Sequence, residues 1–173
     1  MRARKKLMRH TDQIRIALIL VIVLLCTTLT GKVWASWNDY DPATLSDITA
    51  KHAKYLSNRK VPKGAVAINL YSKGDPFRST VLFLGKVRNI KPDRRSLIEM
   101  WGKSSGVDTA KGNFKKEIQV RENGKTYWLP IQEILVAHLK REVKKNGEVM
   151  LFMVYIGTTG KSSVFLVNEF RAF

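Results

Sequence analysis

Two of the three histidines, His52 and His138, are the residues of this chain best suited to general acid–base chemistry. Such catalysis needs titratable groups that converge in one pocket. Each of these histidines falls on the apolar stripe of a predicted helix, a position that packs rather than catalyses. The sequence contains no Gly-x-Ser-x-Gly elbow, no His-Glu-x-x-His helix and no phosphate-binding glycine loop ahead of a helix. The run Gly157-Thr158-Thr159-Gly160-Lys161 has the composition of a phosphate loop, but it lacks the spacing and precedes a β-prone segment, so it reads as a hairpin turn. Asp39 and Asp41 would need ligands from elsewhere to hold a cation, and no metal or cofactor is expected. The single cysteine, Cys26, lies in an N-terminal apolar run, which excludes a thiol nucleophile and a Cys-ligated metal from the rest of the chain. The expectation is therefore a non-enzymatic protein. A periplasmic, hydrolase-like enzyme with a non-standard site near His138 is the alternative.

Positive charge and aromatic rings are the other chemistry on offer. Lys86, Arg88, Lys91, Arg94 and Arg95 cluster within ten positions, close to Trp101. A second group, Lys111, Lys115, Lys116 and Arg121, surrounds Phe114. Tyr127 and Trp128 are adjacent on a β-prone run, so they point to opposite faces, and one of them packs while the other is exposed. An exposed Trp128 beside basic loops would make a stacking platform for sugars or bases. The candidate ligand-binding residues are Lys86, Arg88, Lys91, Arg94, Arg95 and Trp128. Both clusters also fit a plain reading as solvated surface charge.

Net charge supports the binding reading. The 173 residues carry a formal charge of +17, and the part beyond residue 35 still holds 24 Lys/Arg against 13 Asp/Glu. A field of that sign attracts anionic partners and weakens with salt. The expected partner is an anionic envelope component or an acidic protein surface. Export removes the domain from most nucleic acid, which disfavours that partner.

The elements that position these residues follow from periodicity. A helix is predicted over 42–60, opened by the capping pattern Thr44–Asp47 and ended by Pro62 and Gly64. Strands are predicted over 65–71 and 77–87, joined by a turn at 72–76. A short helix starts at Pro92-Asp93 and carries Leu97, Ile98 and Trp101, and an exposed loop follows from Gly102 to Asn113. Asn123-Gly124 between β-prone runs marks a hairpin. Pro130 opens an amphipathic helix through Ile131, Ile134, Leu135, His138, Leu139 and Val143, and two strands over 148–156 and 163–170 close the chain. This order predicts an α+β domain with two main helices. Its sheet is either a small antiparallel one or an OB-like partly open barrel, which also places a helix between its third and fourth strands.

Ahead of the domain lies an export segment. Six positive residues precede the eleven apolar residues from Ile16 to Cys26, and Val33-Trp34-Ala35 suits cleavage before Ser36. The expected organisation is a signal peptide or membrane anchor over 1–35 and one extracytoplasmic domain over 36–173. That domain is soluble in the periplasm after cleavage, or held at the inner membrane through residues 16–33 if the signal stays. A structural subunit of an envelope assembly, offering its apolar closing strands as an edge, is a further alternative.

Overall fold

The computed structural model describes residues 39–53, 67–107 and 114–173. The segment over 1–35 predicted to serve export lies outside them, as do residues 54–60 of the first predicted helix and residues 65–66 of the first predicted strand. Among the described residues no helix is long and apolar enough to cross a membrane. In chain order the elements are β1 (Asp41–Pro42), α1 (Leu45–Ala53), β2 (Ile68–Asn89), α2 (Pro92–Ser105), β3 (Lys116–Glu122), β4 (Lys125–Ile131), α3 (Glu133–Glu142), β5 (Gly147–Thr159) and β6 (Ser162–Ala172).

The described strands form one six-stranded mixed sheet in the order β1-β2-β3-β4-β6-β5, and β2 also pairs with β5. Five strands therefore close a ring. The 22-residue β2 makes this possible by changing partner along its length. It pairs with β5 as far as Phe83↔Gly147 and with β3 from Leu82↔Arg121 onward, with a register shift between Phe83 and Val87. The β2–β3, β3–β4, β5–β6 and β2–β5 pairs are antiparallel, whereas β1–β2 and β4–β6 are parallel. The β4–β6 pairing joins Ile131 to Val167.

Alternation of side chains fills the ring. Phe77 and Val81 of β2, Ile118 and Val120 of β3, Leu129 and Ile131 of β4, Leu151 and Met153 of β5, and Phe165 and Val167 of β6 share one buried cluster. Leu45 and Ile48 of α1 and Leu139 of α3 enter the same core. A second cluster lies on the opposite face of the last two strands. There Leu97, Ile98 and Trp101 of α2 cover Ile156, Val164 and Leu166.

Local chemistry explains the helix starts. The Thr44 hydroxyl accepts the Asp47 N–H at 3.0 Å, half of the expected capping box. A second cap comes from far away in sequence. The buried Glu122 carboxylate, at the end of β3, accepts the Leu45 N–H at 2.9 and 3.1 Å and the Ser79 hydroxyl proton. A carboxylate at a helix N-terminus satisfies an orphan donor and meets the positive end of the dipole.

Several expectations are corrected. The sheet is mixed, not antiparallel. Residues 72–76 do not reverse the chain but form an irregularity inside one continuous β2, where the register to β5 shifts between Leu70 and Asp75. Gly74 sits there at φ +68, and a Cβ on it would fall 2.7 Å from Val154, so glycine permits the close passage. α2 is a 14-residue helix that continues past Gly102, which is buried, and ends at Gly106 in the left-handed region. Of the expected loop, residues 102–105 belong to α2, and residues 108–113 lie outside the described ones. The described residues hold the three expected helices, but the one expected to be short is the longest of them. Thr158 and Thr159 are buried strand residues, and the last turn is the tighter Gly160-Lys161.

Candidate functional site

The end of β2 and the first turn of α2 bring the basic cluster to one corner, but its members differ in environment. Glu117 of β3 stands opposite Arg88 in the sheet and is completely buried. Burying a carboxylate is costly unless it is paired and hydrogen-bonded. Arg88 Nε donates to Glu117 Oε2 at 2.8 Å, and Arg94 Nη1 donates to Oε1 at 2.6 Å. Arg94 Nη1 also donates to the Trp128 carbonyl at 2.6 Å, and the Arg94 side chain is only 11% exposed. The Arg88 guanidinium lies 3.9 Å from the centre of the Trp128 ring, a cation–π contact that covers one face of the indole. Two of the five cations are thereby tied to an internal carboxylate. Lys86, Lys91 and Arg95 are exposed. In the second basic group, Lys115 pairs with Glu133 at 3.4 Å and Lys116 donates to Asn89 at 2.8 Å, while Lys111 lies outside the described residues.

Beside this corner a cleft of about 620 Å³ opens between α1 and the first residues of β4 and β6. α1 contributes Ser46, Thr49, Ala50 and Ala53. The strands contribute Lys125 to Trp128 and Ser162 to Ser163, and Arg94 and Lys161 complete the lining. The helix spans the opening. Ser46 Oγ lies 3.1 Å from the Tyr127 hydroxyl on one wall, and Thr49 Oγ1 lies 3.1 Å from Ser163 Oγ on the other. Among the described residues the lining holds three cations, six hydroxyl side chains and one indole, and no carboxylate. Arg94, which is already paired, brings less positive field than the exposed Lys125 and Lys161.

The sequence-derived candidates divide accordingly. Arg94 and Trp128 line the cleft, Arg88 braces Trp128, and Lys86, Lys91 and Arg95 are not among the lining residues. Tyr127 packs against the ring core while Trp128 lies under Arg88, and both rings are half-buried. Lys125 and Lys161 were not singled out. Each follows or completes a two-residue turn, Asn123-Gly124 and Gly160-Lys161, and that position was the available signal. Nothing in the linear order shows that the two turns end beside one helix.

The histidines occupy different surroundings. His52 is buried as its periodicity predicts and stacks on Tyr155, with ring centres 4.3 Å apart. Its Nε2 donates to Asp75 Oδ2 at 2.8 Å, and Lys51 Nζ reaches the same oxygen at 2.8 Å. Burial pushes the Asp75 carboxyl up, but the hydrogen bonds from Lys51 and His52 outweigh it and hold the group below its ordinary range. The bond to Asp75 raises the Lys51 ammonium in turn. Burial pushes the Tyr155 hydroxyl up to about 12. His138, by contrast, is half-exposed and meets Arg141 and Glu142 of its own helix at 2.7 and 3.8 Å. Its predicted place on the apolar stripe is corrected, because the stripe narrows to Leu139 with Leu135 and Val136 partly covered.

No family model, curated protein or solved structure matches the chain. The cleft therefore has to be read from its own chemistry. A wall of hydroxyls and ammonium groups is complementary in charge and hydrogen bonding to anionic oxygen atoms.

Proposed function

We propose that this is an exported, non-enzymatic envelope domain that binds an anionic partner in the cleft between α1, β4 and β6. The partner is an anionic envelope component or an acidic surface of another protein. The observation that carries this reading is the lining itself, in which, among the described residues, no carboxylate stands beside the exposed Lys125 and Lys161, Arg94 being held by Glu117 from behind. Lys86, Lys91 and Arg95 extend the positive field beside it and serve encounter more than grip. We further read the ring as an OB-type barrel. Its strands follow the order β2-β3-β4-β6-β5 with α3 between β4 and β5, which matches OB wiring. That fold binds ligands over its second and third strands and the loop between its fourth and fifth. Here these are β3, β4 and the Gly160-Lys161 turn, which brings Lys125, Trp128 and Lys161 to one place. Export, as the N-terminal segment suggests, fits envelope ligands better than nucleic acid.

The test measures binding of the full chain to fluorescent polyglutamate and to polygalacturonate, by anisotropy at 0.1 M salt. Lys125→Gln with Lys161→Gln should weaken both by about tenfold, a loss of about 1.4 kcal/mol. Lys86→Gln, Lys91→Gln and Arg95→Gln together should slow association and leave dissociation nearly unchanged. Full loss in the second variant with none in the first would move the site out of the cleft.

A further inference from the structure

The walls of the cleft are strand edges. Around the two-residue turn Asn123-Gly124 the closing pair is Glu122↔Lys125, followed by Arg121↔Thr126, Val120↔Tyr127 and Gln119↔Trp128. Antiparallel pairs alternate between those that exchange main-chain bonds and those that do not, and the pair that closes a two-residue turn exchanges them. Thr126, Trp128 and Pro130 therefore turn their main-chain groups away from β3, towards the β6 side. Two observations agree with that parity. The Trp128 carbonyl accepts from Arg94, which is not part of the sheet. Pro130, with no N–H to give, occupies an outward position, where a strand tolerates proline. By the same alternation from Thr159↔Ser162, Ser163 turns its main-chain groups away from β5, towards β4.

β4 and β6 pair at Ile131 and Val167, and the cleft lies between their earlier residues. It thus presents the main-chain groups of Thr126 and the Trp128 N–H on one side and those of Ser163 on the other. Thr126 and Trp128 stand two residues apart, about 7 Å, which is the repeat of an extended peptide. We propose that the occupant of the cleft is an extended, acidic segment of a partner protein, added as a strand along β4. Its main chain bonds to Thr126 and Trp128, and its carboxylates meet Lys125 and Lys161. Main-chain bonds supply affinity in such additions, and the side chains beside them supply selection. Here the charge complementarity of a carboxylate-free lining selects acid. An anionic glycan would satisfy the lysines but not the strand edge. This inference rests on the cleft reading above and goes further by naming the class of occupant.

The experiment uses the full chain and a labelled eight-residue peptide of alternating Glu and Val. Two isomers of it are N-methylated, one on every Glu and one on every Val, so that each keeps its charge and loses the donors of one edge. At least one isomer should bind about tenfold more weakly than the parent peptide. Thr126→Pro, which removes a donor that β3 does not use, should weaken the parent peptide by a similar factor and leave polygalacturonate binding unchanged. If that variant shows a lowered melting temperature, the methylated peptides on the unmodified protein decide alone. Both isomers binding like the parent peptide would overturn strand addition, and the cleft reading would stand if Lys125→Gln with Lys161→Gln still weakened them. Absence of binding by both the peptide and polygalacturonate would overturn the two readings together.

Discussion

At the scale of single residues, the cations of one cluster carry different loads. Arg95 is exposed, while Arg94 and Arg88 supply both hydrogen bonds to a carboxylate with no access to water. Removing one partner of a buried pair leaves an uncompensated charge and costs about 3–5 kcal/mol. Arg94→Met should therefore lower unfolding stability by that amount in urea titrations, with Arg88→Met somewhat below it, since Arg88 is 33% exposed. Arg95→Gln should stay within about 0.5 kcal/mol of the parent. Adding Glu117→Leu to Arg94→Met should recover part of the loss, as the stranded carboxylate is then gone. If Arg94→Met proves as mild as Arg95→Gln, Glu117 does not depend on it. The five cations cannot be treated as one exposed patch, because replacing Arg88, Arg94 and Arg95 together would report on folding as much as on binding.

At the scale of elements, α3 shows how a tertiary surface narrows a sequence stripe. Its periodicity offers Ile134, Leu135, His138 and Leu139 together. The ring accepts Leu139 fully, Leu135 partly, and leaves Ile134 72% exposed. Leu139→Ala should cost about 2–5 kcal/mol, read by thermal or chemical unfolding. Ile134→Ala should be neutral, because it removes no buried contact and introduces the better helix former. Equal losses at the two positions would show the helix rotated about its axis. The β3–β4 hairpin was legible beforehand, since Asn123 and Gly124 both take positive φ, 48° and 76°, as the two-residue turn demands. The continuity of β2 was not. Ser72-Lys73-Gly74-Asp75-Pro76 has the composition of a turn, and only the pairing of β5 on both sides of the irregularity, to Leu70 and to Asp75, carries the strand through it.

At the scale of the whole molecule, Lys51, His52 and Asp75 tie α1 to β2, and α1 in turn fills the ring through Leu45 and Ile48. Asp75 is held below its ordinary range in the folded protein, so its contribution is complete above the unfolded carboxyl value near pH 4. It is lost as pH falls through the lower folded value. Asp75→Asn should therefore be less stable than the parent at pH 6, and the two should converge as the pH falls through the lowered Asp75 value. Lys51 and Tyr155 are both raised, so their contributions are present below about pH 10 and fade as pH rises through the folded values. A difference between parent and Asp75→Asn that persisted undiminished at pH 2 would assign the effect to packing rather than to charge. The positive field proposed to draw a partner acts at this scale too. It weakens as the Debye length falls from about 10 Å at 0.1 M to about 3 Å at 1 M salt.

The sequence by itself determined the local features: the Thr44–Asp47 start of α1, the turn at Asn123-Gly124, the alternation that fills the ring and the burial of His52. These depend on backbone preference and side-chain period, which neighbouring residues fix among themselves. It also determined the excess of positive charge, though not where that charge acts. Only the tertiary structure decided that Glu117 claims Arg88 and Arg94, that Glu122 caps α1 from 77 residues away, and that Lys125 and Lys161 face one cleft. Each of these joins residues from separate strands or turns. Such meetings are set by how the ring closes, β2 pairing with both β3 and β5 and β4 meeting β6, and no period along the chain encodes that closure.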